Sequence, residues 1–394
     1  MSSSNEVDVI YAEETVTYGV VEAGAVFETM RKTDETLSAT PTTVISDEAR
    51  ADRQSGGQAA VGLAVGGDVI WQLSRGKAFD DHLQAAMYST WTTPPAPATE
   101  VAAALAVTNG VGTIDRVTGD WTTALAVNDF AIISSAANAV NNTVIFITAL
   151  TSDIISFVGP ATMVANASDT FTLTALSALT IGTTRRSFGM EKKFKDIVQN
   201  ISYSGMRSSG FTLDASVNKI VSGSFKFMGS QTEQSSVSIA NGHTLNAADA
   251  SPLINAQLDM GFISIDGVIV QYTIESIGVD LNNNVKPEEG VGFVGAKNQI
   301  PFEAAVGIKM TAHLSGANIA LIQKKKTQAP ISMTFFLRDV NGDGYAFHVP
   351  EAQLSFPDPN MGGKNNHVML TMSGVARYSA SLGNTMKIAR IGAV

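Results

Sequence analysis

Apolar and polar residues alternate along much of this chain. In GFTLDAS the residues Phe211, Leu213 and Ala215 alternate with polar neighbours, and Phe225 and Phe227 do so in SGSFKFMG. VIVQYTIESIGVDL and NHVMLTMSGVARY follow the same pattern. A period of two places alternate side chains on one face, so each stretch predicts a half-buried β-strand. NGDG, NNNVKP and PDPNMGG separate the runs and supply the Gly, Asn, Asp and Pro of tight reversals. Helical spacing is clear in one place. SRGKAFDDHLQAAMYSTW sets Phe79, Leu83, Ala86 and Met87 at i, i+4, i+7 and i+8, with Ser74 as candidate N-cap. The pattern predicts a mainly β chain with one strong helix.

The pattern also repeats. ISDEARADRQ…GLAVGGDVIWQLSRGKAF and VKPEEGVGFV…EAAVGIKMTAHLSGANIA align without a gap. Asp47-Glu48 match Glu288-Glu289, Ala64-Val65-Gly66 match Ala305-Val306-Gly307, and Leu73-Ser74 match Leu314-Ser315, all 241 residues apart. Each copy reads as an acidic loop, a strand ending in Leu-Ser, and a helix, GKAFDDHLQAAM or the weaker GANIALIQKKK. Downstream, Tyr203 pairs with Tyr345. A duplicated β unit is the expectation. Leu314 and Tyr345 are 31 residues apart, Leu73 and Tyr203 130 apart, so the first copy carries about 99 more. That surplus coincides with a lysine-free tract between Lys77 and Lys192, opened by TTPPAPATE. The expected organisation is a first unit in 1–91 and 185–245, a small β domain inserted at 92–184, and a second unit in 246–394.

Composition narrows the function. The chain has 394 residues, no cysteine and a net charge of −10 on 16% charged residues. Disulfide frameworks and thiolate metal sites are excluded, and an acidic surface repels nucleic acid. MSSSNEVDVI lacks the basic and apolar regions of a secretory signal, and TVIFITALTSDIISFVG is too short and polar to span a bilayer. The expectation is a protein made inside the cell, with no membrane partner.

Candidate chemistry is weak. DVNGDG opens like a calcium loop but places Pro350 where the bidentate Glu belongs, so a hairpin turn is the better reading. GVGFVG (Gly290 to Gly295) fits G-x-G-x-x-G without a strand close before it or a helix after it. His82, His243, His313, His348 and His367 are scattered. The lysines of QKKKTQ read as basic residues at a helix C-terminus. No nucleophile elbow, Walker A or H-E-x-x-H pattern occurs. The expectation is a protein that is not an enzyme and carries no cofactor or metal.

Several elements in order resemble the tail tube (major tail) proteins of long-tailed, non-contractile bacteriophages. They are ISDEARADRQSGGQ, GGDVIWQLSRGKAFDDHLQAAM, RRSFGMEKKF, YSGMRSSGFTLDASVNKIVSGSFKFMGS, SPLINAQLDMGFISIDG and GVDLNNNVKPEEGVGFVGA. The resemblance covers most of the chain outside the insert and implies a β-sandwich-like or barrel-like unit with one flanking helix. Inner strands would join across subunits around a lumen, and rings would stack helically into the conduit for genome DNA. It implies a virion tail protein assembled in the bacterial cytoplasm, with DNA passing transiently and without specific binding. Its partners would be further copies of itself, a tape-measure protein, a tail terminator and distal tail or baseplate proteins. The insert is expected on the outer wall. If six units surround the lumen, a chain holding two needs three copies per ring, with pseudo-sixfold shape; the alternative is six whole chains. Candidate subunit or ring contacts are Asp47, Glu48, Arg50, Asp52 and Arg53 on one acidic loop, and Lys286, Glu288 and Glu289 on its counterpart, because both signs of charge crowd there. The competing reading is a non-viral β-rich binding or surface protein such as an adhesin.

Overall fold

The computed structural model describes residues 6–392 apart from 50, 53, 55, 117, 118, 361 and 362. Among these, two α-helices, Lys77–Met87 and Ala320–Thr327, accompany a chain built mainly of strands. The mainly β reading holds.

One arrangement of strands occurs twice. In the first unit Val7–Glu13 pairs with Phe188–Phe194, which pairs with Gln199–Ser216. That long strand then pairs with Gln231–Ser235 along its first part and with Ser222–Gly229 along its second. Ser222–Gly229 pairs with Gln58–Gln72, and this with Ser38–Ile45. The second unit repeats the order with Met260–Ile265, Ile331–Arg338, Gly344–Leu354, Lys387–Ile391, Met369–Ala376, Ala305–His313 and Ile274–Asn282. Every pairing is antiparallel. The helices fall at equivalent places, after the strands Gln58–Gln72 and Ala305–His313.

Register corrects one match. A bulge separates Phe188↔Met206 from Met190↔Tyr203, and another separates Ile331↔Ala352 from Met333↔Val349. Tyr203 therefore corresponds to Val349, not Tyr345; two tyrosines on equivalent strands only happen to lie close in sequence. The surplus in the first copy falls to about 95 residues. Ser74 is not the N-cap either. Gly76 holds that position with φ −171°, and Ser74 instead forms a bridge with Leu253.

Most of the surplus makes a separate barrel. Ala98–Thr108, Val111–Asp115, Phe130–Ser134, Val144–Leu150, Ile154–Val158 and Asn166–Ala175 close on themselves around Trp121, Phe157 and Phe171. Although the chain enters this barrel from the first unit, the barrel packs on the second. Phe130, Val144, Phe146 and Val158 meet Phe262, Phe336, Ala346 and Ile391. Lys387 Nζ reaches Asp129 Oδ1 at 2.6 Å, and Ala178–Thr180 pairs with Lys387–Ala389. Apart from a small separate cluster of Ile10, Ala12, Phe27 and Ala240, the remaining core is continuous through both units, from Val69, Trp71 and Phe225 to Ile308, Met310 and Met372. Burying each such side chain contributes about 1.5–3 kcal/mol.

Candidate assembly interface

Eight strands lie side by side across both units. In spatial order they are Ser38–Ile45, Gln58–Gln72, Ser222–Gly229, Gln199–Ser216, Ile274–Asn282, Ala305–His313, Met369–Ala376 and Gly344–Leu354. Their alternation gives two faces. Val69, Phe225, Phe211, Val279, Ile308 and Met372 point into the core. The other face carries Asp68, Lys226, Thr212, Asp214, Asp280, Lys309, Thr311, Thr371 and Ser373. Register sets Lys226 opposite Asp68, Asp280 opposite Thr212, and Ser373 opposite Lys309. Three carboxylates and two ammoniums leave this polar face nearly balanced in charge.

The two units meet inside this sheet, where Gly210–Ser216 pairs with Ser276–Asn282. Gly210 has φ +149°, and a Cβ there would lie 1.9 Å from the Leu281 carbonyl oxygen. Only glycine fits so close an approach without displacing the backbone.

A buried polar cluster fastens the first helix to the second unit. Asp80 lies on the helix face that buries Phe79 and Leu83. Tyr345 donates its hydroxyl to Asp80 Oδ1 at 2.7 Å, while Arg75 and Arg390 donate to Oδ2 at 2.5 and 3.3 Å. Burial holds the Asp80 pKa above the usual carboxylate value, with both guanidiniums and the tyrosine pulling it down. Ion pairing and hydrogen bonding offset the cost of desolvating these charges. The sequence reading missed this cluster. A charged residue on the apolar stripe of the strong helix was its one visible signal.

The candidate contact residues sit on two hairpins that behave differently. Asp47, Glu48 and Asp52 are exposed on the loop joining Ser38–Ile45 to Gln58–Gln72; Arg50 and Arg53 lie outside the described residues. Local turns shape this loop: Ser46 N donates to Gly57 O at 3.0 Å and Gln54 N to Asp52 Oδ1 at 3.2 Å. Lys286, Glu288 and Glu289 are exposed on the other hairpin, made by Lys286–Glu288 and Asn298–Ile300. There the Lys286 ammonium lies 5.3 Å from the Phe302 ring centroid. GVGFVG forms the tip of this second hairpin, where Val291, Phe293 and Val294 are exposed. The NGDG stretch is a hairpin turn, in which Asp339 N donates to Asp343 O at 2.7 Å. Lys324, Lys325 and Lys326 occupy the last turn of the Ala320–Thr327 helix.

A family model described as phage tail tube protein matches residues 4–376. The chain belongs to the phage tail tube protein family. It is thus a structural component of the bacteriophage virion, in a family that is not one of enzymes. No match was found among curated proteins.

Proposed function

We propose that copies of this chain close into rings, each built from three chains, and that the rings stack helically into the tube through which genome DNA leaves the virion. The observation that carries this is the twice-repeated strand order joined edge to edge by the 210–216 and 276–282 pairing. An edge-to-edge joint already made once within the chain can be made again between chains, and a sheet closed into a ring leaves no edge exposed. The polar face of the sheet lines the lumen. Its near balance of charge, on a chain of net charge −10, lets DNA pass without a grip on its phosphates. The inserted barrel lies on the outer wall. Tape-measure, terminator and distal tail proteins would meet the tube in its lumen and at its ends.

The acidic loop carrying Asp47, Glu48, Arg50, Asp52 and Arg53, and its counterpart with Lys286, Glu288 and Glu289, contact neighbouring subunits or stacked rings. Negative-stain images of the purified protein under assembly conditions should show long hollow tubes; small discrete particles in every condition would contradict the proposal. The same assay on Arg50→Glu with Arg53→Glu should give fewer or shorter tubes. Unchanged tubes would remove the loop from the interface.

A further inference from the structure

The two units differ in the fate of one hairpin. In the second unit, residues 283–304 fold onto the first unit. Asn283 Nδ2 donates to the Ala86 carbonyl at 2.9 Å, at the end of the first helix, and Gln299 Nε2 donates to the Gly229 carbonyl at 2.6 Å. Gln231 Nε2 donates back to the Val294 carbonyl at 2.8 Å. Asn283, Val285, Ala296 and Gln299 are buried, and so are Gly229 and Ser230 beneath them.

In the first unit the equivalent hairpin, 41–63, makes no such contact among the described residues. Those of its residues from 41 to 61 are exposed on both faces, with Val44, Ile45 and Val61 at 54%, 65% and 58%. A two-stranded hairpin of this kind is barely stable alone in water, and its free edge invites another chain.

Strand register locates what should receive it. Val65 corresponds to Val306 and Gly66 to Gly307; Gly66 faces Met228 and Gly307 faces Val375. Gly229 therefore corresponds to Ala376, Ser230 to Arg377 and Gln231 to Tyr378. On this chain Ala376 is half-buried and Arg377 exposed, whereas their counterparts Gly229 and Ser230 are covered; Val375 and Tyr378 beside them are 61% and 64% exposed. Gln299 and Gln58 occupy the same register position, and both are glutamine. The hairpin springs from one end of the eight-strand sheet and the 375–378 ridge lies near the other. The ridge continues the seventh strand, so five to six spacings of about 4.8 Å put the two about 24–29 Å apart, and within this chain the hairpin is not seated on the ridge.

We infer that hairpin 41–63 docks on the 375–378 ridge of a second copy of this chain, repeating between chains the contact that 283–304 makes within one. Gln58 donates to the Ala376 carbonyl of that copy, as Gln299 does to Gly229. The inference takes its occupant from the ring proposed above and names the surface that receives it. It is a head-to-tail contact, so each copy gives a hairpin on one side and accepts one on the other.

The chain has no cysteine, so introduced thiols report without background. Gln58→Cys with Ala376→Cys, treated as assembled tubes with a short bis-maleimide, should give covalent dimers and trimers on denaturing gels. Either substitution alone should give none, and tubes mixed from the two single variants should give dimers only. Tubes of the double variant that stay monomeric on the gel would overturn the inference and leave the tube reading standing. Wild-type protein that forms no tubes at all would count against the tube reading instead. A second measurement holds if the double variant assembles poorly. A ridge variant, Val375→Lys with Tyr378→Glu, should remain a folded monomer alone. It should pair one to one, by sedimentation, with a chain whose hairpin residues 44–60 are replaced by a short turn. Absence of that pair would equally overturn the inference.

Discussion

His82 sits among the rings of Tyr11, Phe188, Phe225 and Phe227, fully buried, with neither ring nitrogen hydrogen-bonded. Burial pushes its pKa down to about 4. His348, whose Nδ1 lies 2.8 Å from Thr334 Oγ1, is pushed down to about 3, first by burial and then by Lys387. Both are neutral in the folded chain, while in the unfolded chain they titrate near the ordinary value of about 6.5. As pH falls below about 6.5 the unfolded state takes up protons that the folded state refuses. Stability present above that pH is then lost, at about 1.4 kcal/mol per pH unit for each histidine, until the folded values are reached. The urea midpoint should therefore drop between pH 7 and pH 4, and drop less steeply in His82→Leu. Equal slopes for the two proteins would contradict this. None of it was legible in the sequence, where five histidines looked scattered; a histidine's burial depends on which rings the fold gathers around it. Asp80 was hidden for the same reason, since Tyr345 and Arg390 reach it from the far end of the chain.

Elements were more legible than residues. Alternation exposed strands such as 222–229 because one face packs on the core and the other meets water. The first helix was clear because it buries a broad stripe, and the second was weak because Leu321 is its one buried residue. Two hairpins of nearly equal length carry no signal that one folds back and the other projects, because that depends on what each meets. The barrel's position was likewise invisible: its sequence lies within the first unit, yet it covers the second. Excising 98–175 would uncover Phe262, Phe336 and Ile391, a contiguous apolar patch of the kind that drives association. The shortened chain should aggregate, and Phe262→Ser with Phe336→Ser should restore solubility. A monodisperse, equally stable deletion would show that the barrel's contact contributes little. Removing the insert without losing tube closure therefore requires that the surface beneath it be made polar.

At the scale of the whole molecule, the spacing of 241 residues announced the duplication, and the strand order displays it. What the spacing could not give is how the units join, since that depends on strand edges and not on the residues they carry. The joint at 210–216 and 276–282 supplies a repeatable step, with a hairpin and a ridge at the two outer ends of the same sheet. Repeated between chains, as proposed, it would make a ring whose positions alternate between first and second units, every second position bearing the inserted barrel. The most direct measurement is the number of chains in one ring, counted in an averaged electron-microscopic reconstruction of the tube. Three chains, six similar inner segments and three outer barrels are expected per ring. Six whole chains in a single layer would contradict this.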